Sequence, residues 1–187
     1  RMVNWDSEAQ TAVSDEEVLY KEIDSKLFHI SYQIENENEK VIVATTRPET
    51  ILGDTAICVN PKDKRYSNLV GKNVYVPLIN RKIPIISDEY VDMEFGTGAL
   101  KITPAHDIND YEIGYRHKLE TIDILNNDGT LNEKAKLFVG TDRFKARELI
   151  VEELKQDNHL FKIENHKNKV GFSERTNSII EPKLSMQ

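Results

Sequence analysis

The chain has 187 residues, of which 39% are hydrophobic and 30% charged, and a formal net charge of -7. Such a balance excludes a disordered segment and a protein that coats nucleic-acid backbone through a basic surface, and no apolar run approaches the roughly 20 residues that cross a bilayer. One cysteine, Cys58, excludes an internal disulfide and points to a reducing, cytoplasmic setting.

The N-terminal run Arg1-Met2-Val3-Asn4-Trp5-Asp6 has no apolar signal core. The first 25 residues are acidic, and Ser14-Asp15-Glu16-Glu17 reads equally as a short helix or a solvated loop. From Phe28 to Ile34 the pattern alternates strictly: Phe28, Ile30, Tyr32 and Ile34 on one side, His29, Ser31 and Gln33 on the other. That is the period of a half-buried strand. The polar stretch 35–39 turns the chain, and Val41 to Thr46 returns as a buried strand, so the pair reads as a hairpin. Further short β-rich runs are Thr55 to Val59, Val74 to Leu78, Ile83 to Ile86 and Leu100 to Thr103. Helices are predicted over about Asp107 to Lys118 and about Asp142 to Gln156, the second capped by Thr141. Asn127-Asp128-Gly129-Thr130 reads as a tight turn, and Lys169 to Glu181 as a second ribbon with Ile179 and Ile180 at its apolar end. The expected fold is a single α+β domain, 1–187, with a barrel-like sheet core and a few peripheral helices.

Two segments concentrate the chemistry. In the first, a buried strand ends in Thr45, Thr46, Arg47 and Pro48. Proline ends the ladder, and the hydroxyls and guanidinium can stand rigidly at the lip of a pocket, although a plain surface turn would read the same way. In the second, Gly96 and Gly98 bracket Thr97, permitting close approach to the backbone. Lys101 and Thr103, two apart, share one face of a strand. After Pro104 the chain enters a helix whose first turn carries Asp107 and Asp110 on one side, where the helix dipole favours carboxylates. Capping by Asp107 alone is the ordinary explanation of one aspartate; it accounts less well for the whole cluster.

The strings TTRPET, GDTAICVNPKDKRY, DEYVDMEFGTGALKITPAHDINDYEIG and SERTNSIIEPKLSMQ resemble the editing insertion of valyl-tRNA synthetases, over nearly the whole chain. Looser forms of the threonine-rich and GTG-to-PAHD motifs are shared with leucyl and isoleucyl enzymes. The resemblance implies a class I synthetase editing-domain fold and an aminoacyl-tRNA deacylase that clears threonine from tRNA(Val), and threonyl-adenylate with it. Residues 1–25 and 165–187 would then be junction segments to a catalytic domain. For the valine and threonine pair, an apolar synthesis pocket is known in general to reject the hydroxyl isostere by only about a hundredfold. A second pocket that hydrogen-bonds the hydroxyl would leave buried groups unpaired when valine enters, at about 1–3 kcal/mol each.

By the same resemblance, Asp110 holds the substrate ammonium. Asp107 and Lys101 read the threonine hydroxyl, with Thr103 beside them. Thr45, Thr46 and Arg47 hold the ester and terminal nucleotide, and Phe95 flanks the adenosine or the pocket wall. His106 either orients water or braces the loop. Asp110, Thr46 and His106 are the catalytic candidates. Backbone amides near Thr46 or in the Gly96–Gly98 loop would stabilise an oxyanion. The expected partners are the threonine-bearing acceptor end of tRNA(Val) and the catalytic domain of the same synthetase, with no membrane. An editing domain of isoleucyl or leucyl type, or a non-catalytic acceptor-end binding module, stand as alternatives. No metal or cofactor is expected, since no zinc spacing or phosphate loop appears. Cys58, in an apolar strand, reads as a buried structural thiol. His29, His159 and His166 read as strand or surface residues.

Overall fold

The computed structural model describes residues 1–185. Its strands are β1 (Met2–Asp6), β2 (Thr11–Val13), β3 (Val18–Ile34), β4 (Lys40–Thr45), β5 (Ala56–Val59), β6 (Asn73–Tyr75), β7 (Lys82–Ser87), β8 (Ala99–Ile102), β9 (Leu160–Ser173) and β10 (Glu181–Leu184). Two α-helices accompany them, α1 (Ile108–Arg116) between β8 and β9 and α2 (Arg143–Gln156) after it in the same interval. No helix among the described residues is long and apolar enough to cross a membrane.

The main sheet runs β4-β3-β6-β7-β5-β8, with β9 added along β3. All its pairs are antiparallel except β5 with β7. The sheet curls until its two edge strands, β4 and β8, lie side by side. Thr97 staples that seam: its hydroxyl donates to the Ile42 carbonyl at 2.6 Å. Gly96 and Gly98 make the staple possible, since both take positive φ (57° and 82°), where a side chain is strained. This half-barrel with peripheral helices is the α+β architecture that the sequence suggests.

The alternation of β3 has a direct consequence. Phe28, Ile30, Tyr32 and Ile34 fall inside the barrel with Val41, Val43, Ile57 and Val74, and α2 closes one end with Ala146, Ile150 and Leu154. The outer face of β5 and β8, with Ala56, Cys58 and Ile102, is covered by Ile113 of α1. Cys58 is thus fully buried, and burial first, then the charges of Asp88 and Asp110, push its thiol up to about 12.

Three local expectations need correction. His29 and Ser31 are buried rather than solvent-facing, because the start of β9 covers them: His29 Nε2 lies 2.8 Å from Glu164, and the Ser31 amide donates to the His159 carbonyl at 2.8 Å. Ser14–Glu17, which reads equally as helix or loop in the sequence, is a short 3-10 helix over Asp15–Glu17 with a capping box, and it leads directly into β3. The second ribbon is not Lys169 to Glu181. It is β9 paired with β3 from Val18 to Ile30, with Ile179 only bridging back to Phe172. Most side chains of β9 face water, so no alternation marks it, and its partner strand is remote in the chain. Finally, α2 is capped by Asp142, whose carboxylate accepts from the Phe144 amide at 2.9 Å, not by Thr141.

A small second sheet, β10-β1-β2, brings the described ends of the chain together, with Met2 opposite Leu184. The capping assignment is testable. Asp142→Ala is expected to lower unfolding free energy by about 1 kcal/mol, and Thr141→Ala by less than about 0.5 kcal/mol, in urea denaturation.

Candidate active site

At the end of β4, the Thr45 hydroxyl accepts from the Arg47 amide at 3.0 Å, which turns the chain into a tight helical turn opened by Pro48. The guanidinium of Arg47 donates to the His106 carbonyl (3.0 Å), to Glu181 (2.6 Å) and to Glu49 (3.3 Å). Glu49, fully buried, also takes two bonds from Arg147 at 2.8 and 2.9 Å. Burial alone would push the Glu49 carboxyl up; Arg147 and Arg47 reverse that and hold it below its ordinary value. Arg47 is therefore a clamp between strip, helix and β10, and its bonds run to the protein itself. Thr46 stands beside it, partly exposed.

The second segment meets the first from the other side of the seam. Lys101 on β8 points into the barrel and is buried. An ammonium has three donors, and all three are engaged: with Thr50 Oγ1 at 2.8 Å, with Thr103 Oγ1, and with Asp54 Oδ1 at 2.9 Å. The Thr103 hydroxyl donates to the same Asp54 oxygen at 2.7 Å, and the Tyr32 hydroxyl donates to the other at 2.5 Å. Burial pushes the Asp54 carboxyl up, opposed by Lys101, Tyr32 and Thr103. Tyr32, Thr50 and Asp54 do not stand out in the sequence as site residues. Thr50 and Asp54 sit inside the motif already quoted, so the signal was there; Tyr32 is disguised as one more apolar residue of an alternating strand.

Thr103 is also the link to α1. Its amide donates to Asp110 Oδ2 at 2.9 Å, while Asp107 caps the helix by accepting from the Asn109 and Asp110 amides. Burial, and then the charge of Asp107, push the Asp110 carboxyl up to about 7. His106, at the turn before the helix, is buried, and its Nε2 accepts from the Ile124 amide at 3.0 Å. Burial and the positive charges of Arg47, Lys101 and Lys183 hold the ring well below its ordinary value, hence neutral. Its Nε2 is taken by that amide, while Nδ1 is buried without a hydrogen-bond partner among the described residues.

A cleft of about 400 Å³ runs along the seam, lined by Ala44, Tyr90, Phe95, Gly96 and Leu100 among others. Phe95 is half exposed at this cleft and meets the His166 ring edge-on at 6.1 Å. Burial, then the charges of Asp107 and Asp110, push the Tyr90 hydroxyl up. The structure thus brings Lys101, Thr103, Asp107 and Asp110 into one bonded chain. Thr45, Arg47 and His106 form another, joined to the first where His106 runs directly into Asp107. Phe95 stands apart on the cleft wall. Buried carboxylate, ammonium and hydroxyl groups beside an apolar cleft can hold a small zwitterionic or amino-acid-like group and discriminate on its polar atoms. Among the described residues, no cluster of three or more His, Cys, Asp or Glu side chains is placed to hold a metal.

The geometry and the comparisons with known proteins agree on a class. The family model described as the leucyl-tRNA synthetase editing domain matches residues 64–170, more than half of the chain, and the chain belongs to this editing-domain family of the class I synthetases. Relatives along the whole chain are valine–tRNA ligases: it is 60% identical to that of Parabacteroides distasonis, 59% to that of Porphyromonas gingivalis and 52% to that of Bacillus subtilis. It spans about a fifth of the length of these relatives (21%, 22% and 21%). Among solved structures, the LeuRS–tRNA–LeuAMS ternary complex of Agrobacterium radiobacter matches 79% of this chain and 20% of its own, with a TM-score of 0.59 at 18% identity, a likeness of fold.

Asp110 makes a stability prediction. Its carboxyl titrates at about 7 when folded, against about 3.9 when unfolded. Below pH ~4 it is neutral in both states. Between the two values the unfolded chain ionises first, so stability falls as pH rises, and the loss is complete above the folded value. Asp110→Asn keeps an oxygen for the Thr103 amide. It is expected to raise unfolding free energy by about 1–3 kcal/mol at pH 8 and leave it nearly unchanged at pH 4. An equal effect at both pH values would show that the native carboxyl titrates normally.

Proposed function

We propose that the chain works as the hydrolytic editing domain of a valyl-tRNA synthetase and cleaves the ester of threonyl-tRNA(Val), with threonyl-adenylate as a second substrate. The observation that carries this reading is the bonded chain from buried Lys101 through Thr103 to Asp110, lying beside the threonine-rich strand end. Asp110, ionised by a bound ammonium, holds the substrate's α-amino group. Lys101 reads the β-hydroxyl by trading one of its three present bonds for it. A methyl group cannot take that place and would leave a buried donor unpaired, at about 1–3 kcal/mol.

Thr45 and Thr46 line the ester side, with Asp107 at the outer edge and Phe95 beside the terminal adenosine. The Gly98 amide already donates to the Phe95 carbonyl; the amides around Thr46 and the remaining ones of the Gly96–Gly98 loop are the oxyanion donors. Arg47 and His106 hold that strip and the aspartate turn in register. A correctly positioned water acting on an intrinsically labile ester needs little more. Paired ends at β1 and β10 suit an insertion, with residues 1–25 and 165–187 as the joint to the catalytic portion in the cytoplasm and the tRNA acceptor end as the partner.

The test is deacylation by the full-length polypeptide. Threonine is expected to leave Thr-tRNA(Val) while Val-tRNA(Val) is spared. Cleavage of Val-tRNA(Ile) instead would identify an isoleucyl-type editor, and a mobility shift without release a binding module. Asp110→Ala is expected to cut turnover on the threonyl ester by at least about tenfold; a folded variant with normal turnover would remove Asp110 from the ammonium role. Lys101→Ala is expected to narrow the preference for threonine, and unaltered selectivity would rule out the reading role.

A further inference from the structure

We infer that Tyr32 is a positioning residue for threonine selectivity, acting through Asp54 on the Lys101 ammonium; this rests on the editing reading above. Tyr32 sits on β3 and is fully buried in one cluster with Ile30, Ile34 and Val43. A phenylalanine would fill that apolar site equally well. The hydroxyl has one partner there, Asp54 Oδ2 at 2.5 Å. Asp54 is itself fully buried and splits its two oxygens cleanly. Oδ2 belongs to Tyr32, while Oδ1 receives the Lys101 ammonium at 2.9 Å and the Thr103 hydroxyl at 2.7 Å.

That division fixes the carboxylate plane. With Oδ2 held, only one oxygen is offered to the ammonium, and the two remaining N–H groups of Lys101 point to Thr50 and Thr103. All three bonds come from a charged donor, but the two to neutral hydroxyls are weaker than the one to the carboxylate, so they are the ones a substrate hydroxyl can displace. Without the phenol, the carboxylate is free to turn and engage the ammonium with both oxygens, drawing it away from the substrate. Tyr32 therefore keeps Lys101 in the position where a hydroxyl and a methyl are told apart, without touching the substrate.

The experiment is steady-state deacylation by the full-length synthetase on Thr-tRNA(Val) and Val-tRNA(Val). Tyr32→Phe is expected to lower the ratio of kcat/KM values by about tenfold, through kcat on the threonyl ester, with KM for the tRNA unchanged. On a Lys101→Met background the same substitution is expected to change the ratio no further, because its route runs through Lys101. A ratio unaffected by Tyr32→Phe, or an undiminished loss on the Lys101→Met background, overturns the inference. If Tyr32→Phe fails to fold, Asp54→Asn is read in the same cycle with the same two criteria. A wild-type enzyme that spares Thr-tRNA(Val) overturns the editing reading itself; a wild-type enzyme that edits, with Tyr32→Phe equally selective, overturns only this inference.

Discussion

A lysine ammonium inside a barrel has to be neutralised and given three acceptors, because a buried charge without partners costs more than the fold can supply. Here the acceptors come from two places in the chain. Thr50 and Asp54 lie on the turn after β4, and Thr103 lies beyond the end of β8. Tyr32 on β3 then satisfies the oxygen of Asp54 that faces away from the lysine. The requirement fixes the turn after β4 relative to β8, which is the separation that sets the width of the seam. Removing one member of such a pair typically costs about 3–5 kcal/mol, since its partner is left charged and alone. The network is therefore a geometric constraint on the site before it is anything else.

A second set of charges holds the strip from behind. Arg47, Glu49, Arg147, Glu181 and Arg143 form a partly buried chain of ion pairs running from the end of β4 to α2 and to the first residue of β10. Arg47 also holds the His106 carbonyl, one residue before the Asp107 cap. One guanidinium therefore ties the threonine strip, the aspartate turn and the small sheet together. A planar, permanently charged fork suits that task better than an ammonium would. The arginine of the TTRPET motif thus bonds to three separate parts of the framework.

Asp110 illustrates how a site trades stability for readiness. Its carboxylate is buried beside a second acid and is satisfied by one backbone amide. An arriving ammonium would relieve both the burial and the like-charge repulsion. That asymmetry makes the group a poor contributor to the empty fold and a strong one to a complex with a cation.

The sequence by itself determined the period-two face of β3, the helix behind the PAHD turn with Asp107 as its cap, the lone buried thiol, and the placing of Lys101 and Thr103 on one side of the chain at the end of β8. Each of these is local: a strand alternates and a helix cap sits three residues from its partner wherever they occur. Tertiary structure decided the rest. Whether Lys101 faces an open pocket or a buried aspartate depends on which strand curls opposite β8. Whether His29 is exposed depends on β9, whose Glu164 lies 135 positions further along the chain. Tyr32 looks like core because a phenol and a phenyl ring share one pattern, and only the folded position of Asp54 reveals a partner for its hydroxyl. Contacts between distant segments follow from how the sheet closes, and no periodicity within a single segment encodes that closure.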